Sequence, residues 1–139
     1  MRPLCLALAV AGAAFAPPPA AAGALEHCTR LVANRLEITP CLEAGRKAMT
    51  DAMLEQFLAV QQSLAELEKV TGHGGKVAAL KQSQREFERY LHSHCQVVRH
   101  AYDSGTGGAQ AQLACEVDML QGRAGLLKLL AAEQPKAKE

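Results

Sequence analysis

The chain has 139 residues, of which 49% are hydrophobic and only 4% aromatic, and its formal net charge is +1 at pH 7. This length suits one domain, and the near-neutral charge argues against a nucleic-acid binder, which would carry a basic patch or stripe. The chain has five cysteines. Whether they form disulfides depends on whether the protein resides in an oxidising or a reducing compartment.

Residues 1–22 predict a secretory signal peptide. Arg2 gives a minimal positive start, an apolar stretch over 4–16 is too short to span a bilayer, and three prolines follow. Ala20-Ala21-Ala22 and Ala22-Gly23-Ala24 both resemble cleavage sites, so we expect cleavage after Ala22 or Ala24. Removal takes Cys5 and one basic residue, which leaves four cysteines and no formal net charge. We therefore expect a periplasmic or secreted protein without stable membrane insertion.

The rest of the chain predicts helices only, since apolar residues recur every three or four positions and no segment alternates with a period of two. A short helix over 25–36 comes first. Thr39 as N-cap and Pro40 at the first position begin a second helix that reaches about Val70. A third runs from about 76 to 102, and a fourth from about 109 to 132. Glycine-rich loops over 71–75 and 103–108 separate them.

Short loops between long amphipathic helices predict antiparallel neighbours. The expected fold is an all-α up-and-down bundle over residues 23–132, made of three long helices and the short N-terminal one. The polar segment 133–139 is expected to be a tail.

The four remaining cysteines predict two disulfides, because an even count behind a secretion signal is typical of a disulfide framework. Sequence alone allows three connectivities. Consecutive pairing is favoured, because each disulfide would then link the two helices at one junction: Cys28–Cys41 and Cys95–Cys115. A zinc site is disfavoured, since the close cysteine pairs of common structural zinc sites are missing.

An ordered set of residues along the third and fourth helices resembles a known family. The set comprises Leu80, Gln84, Phe87, Tyr90, Cys95, Gly107, Gly108, Cys115 and Arg123. Together with Cys28 and Cys41, it is similar to the LprI-like lysozyme-inhibitor domain. The family often has Trp at the position of Phe87, an Arg-Asp pair where Leu91-His92 stands, and a Leu-Asn-x-x-Tyr run at Met49-Thr50-x-x-Met53. These changes preserve packing and remove polar groups.

The resemblance implies an exported binding protein that inhibits lysozyme by occluding its cleft. The two glycine-rich loops and four glutamates are the expected partner contacts. The glutamates are Glu66, Glu68, Glu86 and Glu88. A structural or chaperone-like envelope protein with a hydrophobic groove is the alternative, and an exposed apolar patch would favour it. Gln84 and Arg123 fall on or near apolar faces and are expected to make interhelical contacts.

Neither an enzyme nor a bound cofactor is expected. The chain contains no G-x-S-x-G elbow around a serine. His92 and His94 lie two residues apart on a helix and face different directions, so they are not expected to share a metal ion.

Overall fold

The residues that the structure describes form a bundle of four α-helices. A computed structural model describes residues 23–102 and 105–133, and the predicted signal peptide and the residues from 134 onward lie outside this part. The elements are α1 (Ala24–Leu31), a 3₁₀ turn (Arg35–Glu37), α2 (Ile38–Thr71), α3 (Lys76–Ala101) and α4 (Thr106–Glu133). The described residues contain no strand. None of the helices in these residues has a stretch both long and apolar enough to span a membrane.

The three long helices alternate in direction, as predicted. Thr39 in α2 contacts Gln110 in α4, near the beginning of both helices. Glu68, close to the end of α2, contacts Val77 at the beginning of α3. It follows that α3 runs antiparallel to its neighbours while α2 and α4 run parallel. The short α1 packs against α2 and α4 at the end where α2 begins.

Two apolar clusters fill the bundle. The central one contains Met53, Val60, Leu80, Leu120 and Leu127. The second, around the junction of α1 and α2, contains Cys28, Ile38, Leu42 and Ala114. The apolar stripes predicted for the three long helices are buried or half-buried. Burial of these stripes is the main favourable term in folding.

Both disulfides follow the consecutive pairing favoured from the sequence. Cys28–Cys41 joins α1 to the start of α2, with a Cα–Cα distance of 5.8 Å. Cys95–Cys115 joins the second half of α3 to the first half of α4, with a Cα–Cα distance of 5.6 Å. Because α3 runs antiparallel to α2, the two bridges lie towards the same end of the bundle.

The boundary between the first two helices was predicted wrongly. α1 ends at Leu31, five residues early, and Leu31 and Leu36 are 65% and 81% exposed. The 3₁₀ turn leads directly into α2, which begins at Ile38, so Thr39 is not the N-cap. Its hydroxyl accepts a hydrogen bond from Gln110 Nε2 at 3.1 Å instead. Pro40 is tolerated because amides of the first helical turn have no intrahelical acceptor.

The second glycine-rich loop is shorter than predicted. α4 begins at Thr106, so Gly107 and Gly108 are helical, and Gly108 is buried. Gly105, with φ of 123°, remains in the turn, while residues 103 and 104 lie outside the described part. The first loop agrees with the prediction: Gly72 ends α2 with φ of 70°, a left-handed conformation that favours glycine.

Candidate interaction surface

The structure brings Gln84, Phe87 and Arg123 of the family motif together where α3 meets α4. Arg123 Nε donates to the Gln84 side-chain oxygen at 3.3 Å, and Nη2 donates to Ser83 Oγ at 3.1 Å. The same guanidinium lies over the Phe87 ring, 5.4 Å from its centroid. Leu80, one turn earlier on α3, belongs to the central apolar cluster. We name Gln84, Phe87 and Arg123 the motif cluster.

Gln84 also connects the motif cluster to its surroundings. Its side-chain nitrogen lies 3.1 Å from Glu88 Oε1 and 3.4 Å from Met53 Sδ in α2. Gln84 is buried, so these contacts satisfy an amide that would otherwise be costly to bury. The expectation that Gln84 and Arg123 make interhelical contacts agrees with this geometry.

Arg123 is half-buried without a carboxylate partner among the residues that the structure describes. Burial lowers its pKa, because desolvation disfavours the charged form. The guanidinium stays protonated at neutral pH, since its ordinary pKa is far above 7. The Phe87 ring and two neutral hydrogen-bond acceptors therefore surround a cation.

Tyr90 is a motif residue whose large side chain the structure leaves exposed. Its side chain is 58% exposed and stacks on His94, with ring centroids 5.3 Å apart. Glu86, one turn before Tyr90, and Val97, one turn after His94, follow at helical spacing and are also exposed. We name Glu86, Tyr90, His94 and Val97 the α3 stripe.

The four glutamates expected to contact a partner do not form one surface. Glu68 is half-buried and accepts a hydrogen bond from the Val77 amide at 3.0 Å, at the start of α3. Glu88 accepts from the side-chain nitrogen of buried Gln84, which also contacts Met53. Glu68 and Met53 are 15 residues apart in α2, which is a rise of about 22 Å.

Glu66 and Glu86 are exposed, as Glu88 is, and their contacts with other described residues stay within one helix. Glu66 pairs with Lys69 at 2.7 Å, and Glu86 accepts from Gln82 at 2.6 Å. Both contacts lie within one helix turn on the surface, where such pairs contribute little to stability. Glu66 and Glu86 therefore interact with exposed surface groups, whereas Glu68 is half-buried and Glu88, although exposed, accepts from buried Gln84.

Sequence reasoning missed a buried acid, Glu116. It is 7% exposed, its Oε1 accepts from Gln112 at 3.0 Å, and its Oε2 pairs with Arg46 at 3.3 Å. Arg99 Nη1 extends the network to α3 by donating to Gln112 at 3.3 Å. Its position in the sequence could have revealed its burial, because Glu116 lies three residues after Leu113 and four before Leu120, on the inward face of α4.

Two histidines of α3, His92 and His94, take part in local contacts. His94 stacks on Tyr90, and His92 Nε2 lies 3.1 Å from the Gln96 side-chain nitrogen. Within residues 23–102 and 105–133, no three His, Cys, Asp or Glu side chains are grouped so that they could hold a metal ion.

A groove of about 350 Å³ lies between α3 and α4, beside the motif cluster. Apolar residues from three helices line most of it: Leu64, Ala79, Leu80, Leu126, Leu127 and Leu130. Lys76, Ser83 and Arg123 supply its polar edge. Leu126 is 63% exposed, and Leu129, one turn later on α4, is 61% exposed. This part of the surface is more apolar than the α3 stripe.

The whole set of motif residues falls within a match to a protein-family model. Residues 28–127, which are 100 of the 139, match the family described as lysozyme inhibitor LprI. The chain belongs to this family. The matched stretch contains both disulfides and the motif cluster, so the LprI domain coincides with the disulfide-linked bundle. The family is one of inhibitor domains, not of enzymes. No curated protein and no solved structure matches the chain.

Proposed function

We propose that this protein is an exported inhibitor that binds lysozyme and occludes its active-site cleft. The observation that carries the proposal is the LprI family match over residues 28–127. Two disulfides support export, because such bonds persist in oxidising compartments and are rare in the cytosol. Occlusion is sufficient for inhibition, since glycoside hydrolysis requires the polysaccharide to reach two carboxyl groups in the cleft.

The α3 stripe is the surface that we propose for this contact. Tyr90 is an exposed aromatic side chain, and tyrosine is among the residues enriched at the energetic centres of interfaces. Val97 adds apolar area one helix turn beyond His94. Glu86 adds a negative charge that favours approach to a basic lysozyme. The motif cluster holds α3 in place beneath the stripe, so the stripe is presented on a rigid helix.

Replacement of Tyr90 tests both the activity and the surface. We expect Tyr90→Ala to weaken inhibition of cell-wall lysis about tenfold or more, as loss of an interface anchor does, without a change in melting temperature. Tyr102→Ala is the matched control, because Tyr102 is equally exposed, at 59%, but caps the end of α3 away from the stripe. It should inhibit like the unchanged protein.

Charge reversal at Glu86 adds a second readout. Glu86→Lys should weaken inhibition more at low salt than at high salt, because exposed charges are screened over about 10 Å at 0.1 M. Glu55→Lys, an exposed glutamate of α2, is its control. Equal effects of the Tyr90 and Tyr102 variants would exclude the stripe. Absence of binding and inhibition with several lysozyme types would exclude the inhibitor function itself.

The apolar groove favours a second candidate, a chaperone-like envelope protein. Exposed Leu126 and Leu129 and the leucine-lined floor are the observations that support it. In this case Leu126→Gln should reduce suppression of client aggregation, whereas Tyr90→Ala should not. The same two variants therefore distinguish the candidates when both assays are run.

A further inference from the structure

The beginning of α1 is held against the middle of α4 by one carboxylate. The Ala24 amide donates to Asp118 Oδ1 at 2.8 Å. Gly23 is the N-cap of α1, and its carbonyl accepts from the His27 amide at 3.0 Å. A Cβ at position 23 would lie 3.0 Å from Asp118 Oδ2, which is tighter than ordinary contact. Gly23 is therefore fitted closely to Asp118.

The two predicted cleavage sites have different consequences for this corner. Cleavage after Ala24 would remove both Gly23 and Ala24, and with them the N-cap and the hydrogen bonds to Asp118 and His27. Cleavage after Ala22 would keep every one of these contacts. It would also create an α-ammonium on Gly23, the residue packed against the Asp118 carboxylate.

We propose that the mature chain begins at Gly23 and that its α-ammonium forms an ion pair with Asp118. A carboxylate at this place already interacts favourably with the N-terminal end of the α1 helix dipole. The new ammonium would otherwise oppose that dipole, so Asp118 compensates for a charge that processing introduces.

The pH range in which this ion pair stabilises the folded protein depends on the α-amino group and on the groups around it. α1 contributes Glu26 and His27, while the nearby α2 residues Ala44, Gly45 and Ala48 carry no polar or charged side chain. An α-amino group ordinarily has a pKa of about 7.7–8.0, and a paired carboxylate raises the pKa in the folded state. The stabilisation is then complete below the ordinary pKa and is lost as pH rises through the raised pKa.

The first test is the mass of the processed protein. The full 139-residue chain is expressed in a secreting bacterial host, and the exported product is measured by intact-mass spectrometry. We expect the mass of residues 23–139. A product that begins at Leu25, at Met1 or at any other residue would overturn the inference. This inference shares the premise of export with the proposed function but does not depend on lysozyme binding, so a wrong N-terminus in the exported product and an absence of lysozyme binding are separate outcomes.

The second test measures the ion pair in the exported protein. Between pH 7 and pH 9.5 the melting temperature should fall by a few degrees more than it does in Asp118→Asn. Asp51→Asn is the matched control, since Asp51 is exposed and pairs only with Lys47, whose pKa that hydrogen bond raises. It should keep the full pH dependence. Equal falls in the unchanged protein and in Asp118→Asn would refute the pair. The mass measurement needs no variant and decides the cleavage site even if Asp118→Asn does not fold.

Discussion

Polar side chains at inward positions set the contacts between helices in this bundle. Gln84 and Glu116 lie on the apolar faces of α3 and α4, and both are fully hydrogen-bonded. Each has an arginine partner from another helix, Arg123 and Arg46 respectively. A buried polar group is costly unless its partners are present. These two sites therefore favour one relative arrangement of the helices over alternatives with equally good apolar packing.

The contact between Arg123 and Phe87 can be measured by a double-mutant cycle. We expect Arg123→Met and Phe87→Leu to show a coupling energy of about 0.5–1 kcal/mol in chemical denaturation, the range of a cation–π pair at a partly exposed site. The matched control pairs Arg123→Met with Phe57→Leu, because Phe57 is also half-buried but lies on α2. That cycle should show no coupling. Similar values in both cycles would mean that the ring contact contributes nothing specific.

Phe87 itself is half-buried, which lowers the cost expected for its removal. Phenylalanine truncation costs about 3–5 kcal/mol at a fully buried site. The ring packs against the central cluster on one side and the Arg123 guanidinium on the other. The sequence pattern correctly placed Phe87 on the inward stripe but did not reveal that it lies at the stripe's edge.

Helix types and lengths followed from the sequence because the periodic stripes of α2, α3 and α4 are long. Their ends depend on contacts that periodicity does not encode. Thr39 has the chemistry of an N-cap, yet its hydroxyl contacts Gln110, 71 residues away. Gly107 and Gly108 have the chemistry of a loop, yet Gly108 is buried within α4. Glu116 was overlooked for a similar reason, since its partner Arg46 lies 70 residues away.

The turn between α2 and α3 offers a test at the level of the element. Gly72→Ala should destabilise the protein by about 1–2 kcal/mol, because φ of 70° places a Cβ in the unfavourable left-handed region. Gly74 is the control: it lies two residues away in equally open space but does not have a positive φ. Gly74→Ala should change the free energy of unfolding by less than about 0.5 kcal/mol. Equal losses in the two variants would mean that the left-handed conformation of Gly72 does not limit this turn.

At the scale of the whole molecule, the disulfides compensate for a core poor in aromatic residues. Phenylalanine, tryptophan and tyrosine make up 4% of the chain. Each bridge closes a short loop, with sequence separations of 13 and 20 residues. In the chain-entropy model, closure of loops this short contributes about 3 kcal/mol each. Two bridges therefore supply a large part of the stability of a domain of this size.

The oxidation state of the predicted mature chain, residues 23–139, follows from these two bridges. Denatured without reductant, it should bind no thiol-specific label, and after reduction it should bind four labels per chain. Mass spectrometry counts the labels directly. Two or more reactive thiols before reduction would contradict the disulfide arrangement. Cys95→Ser with Cys115→Ser should lower the free energy of unfolding by about 3 kcal/mol, measured against the unchanged protein.

Placing both bridges towards one end makes the bundle mechanically asymmetric. In the described residues, the opposite end, where Gly72 links α2 to α3 and α4 approaches Glu133, has no covalent bond between helices other than the turn itself. Local opening is easiest where few constraints must be broken. The groove lined by Leu126 and Leu130 lies at this unconstrained end. We therefore expect local opening to begin at this groove, while the crosslinked end keeps the helices in register.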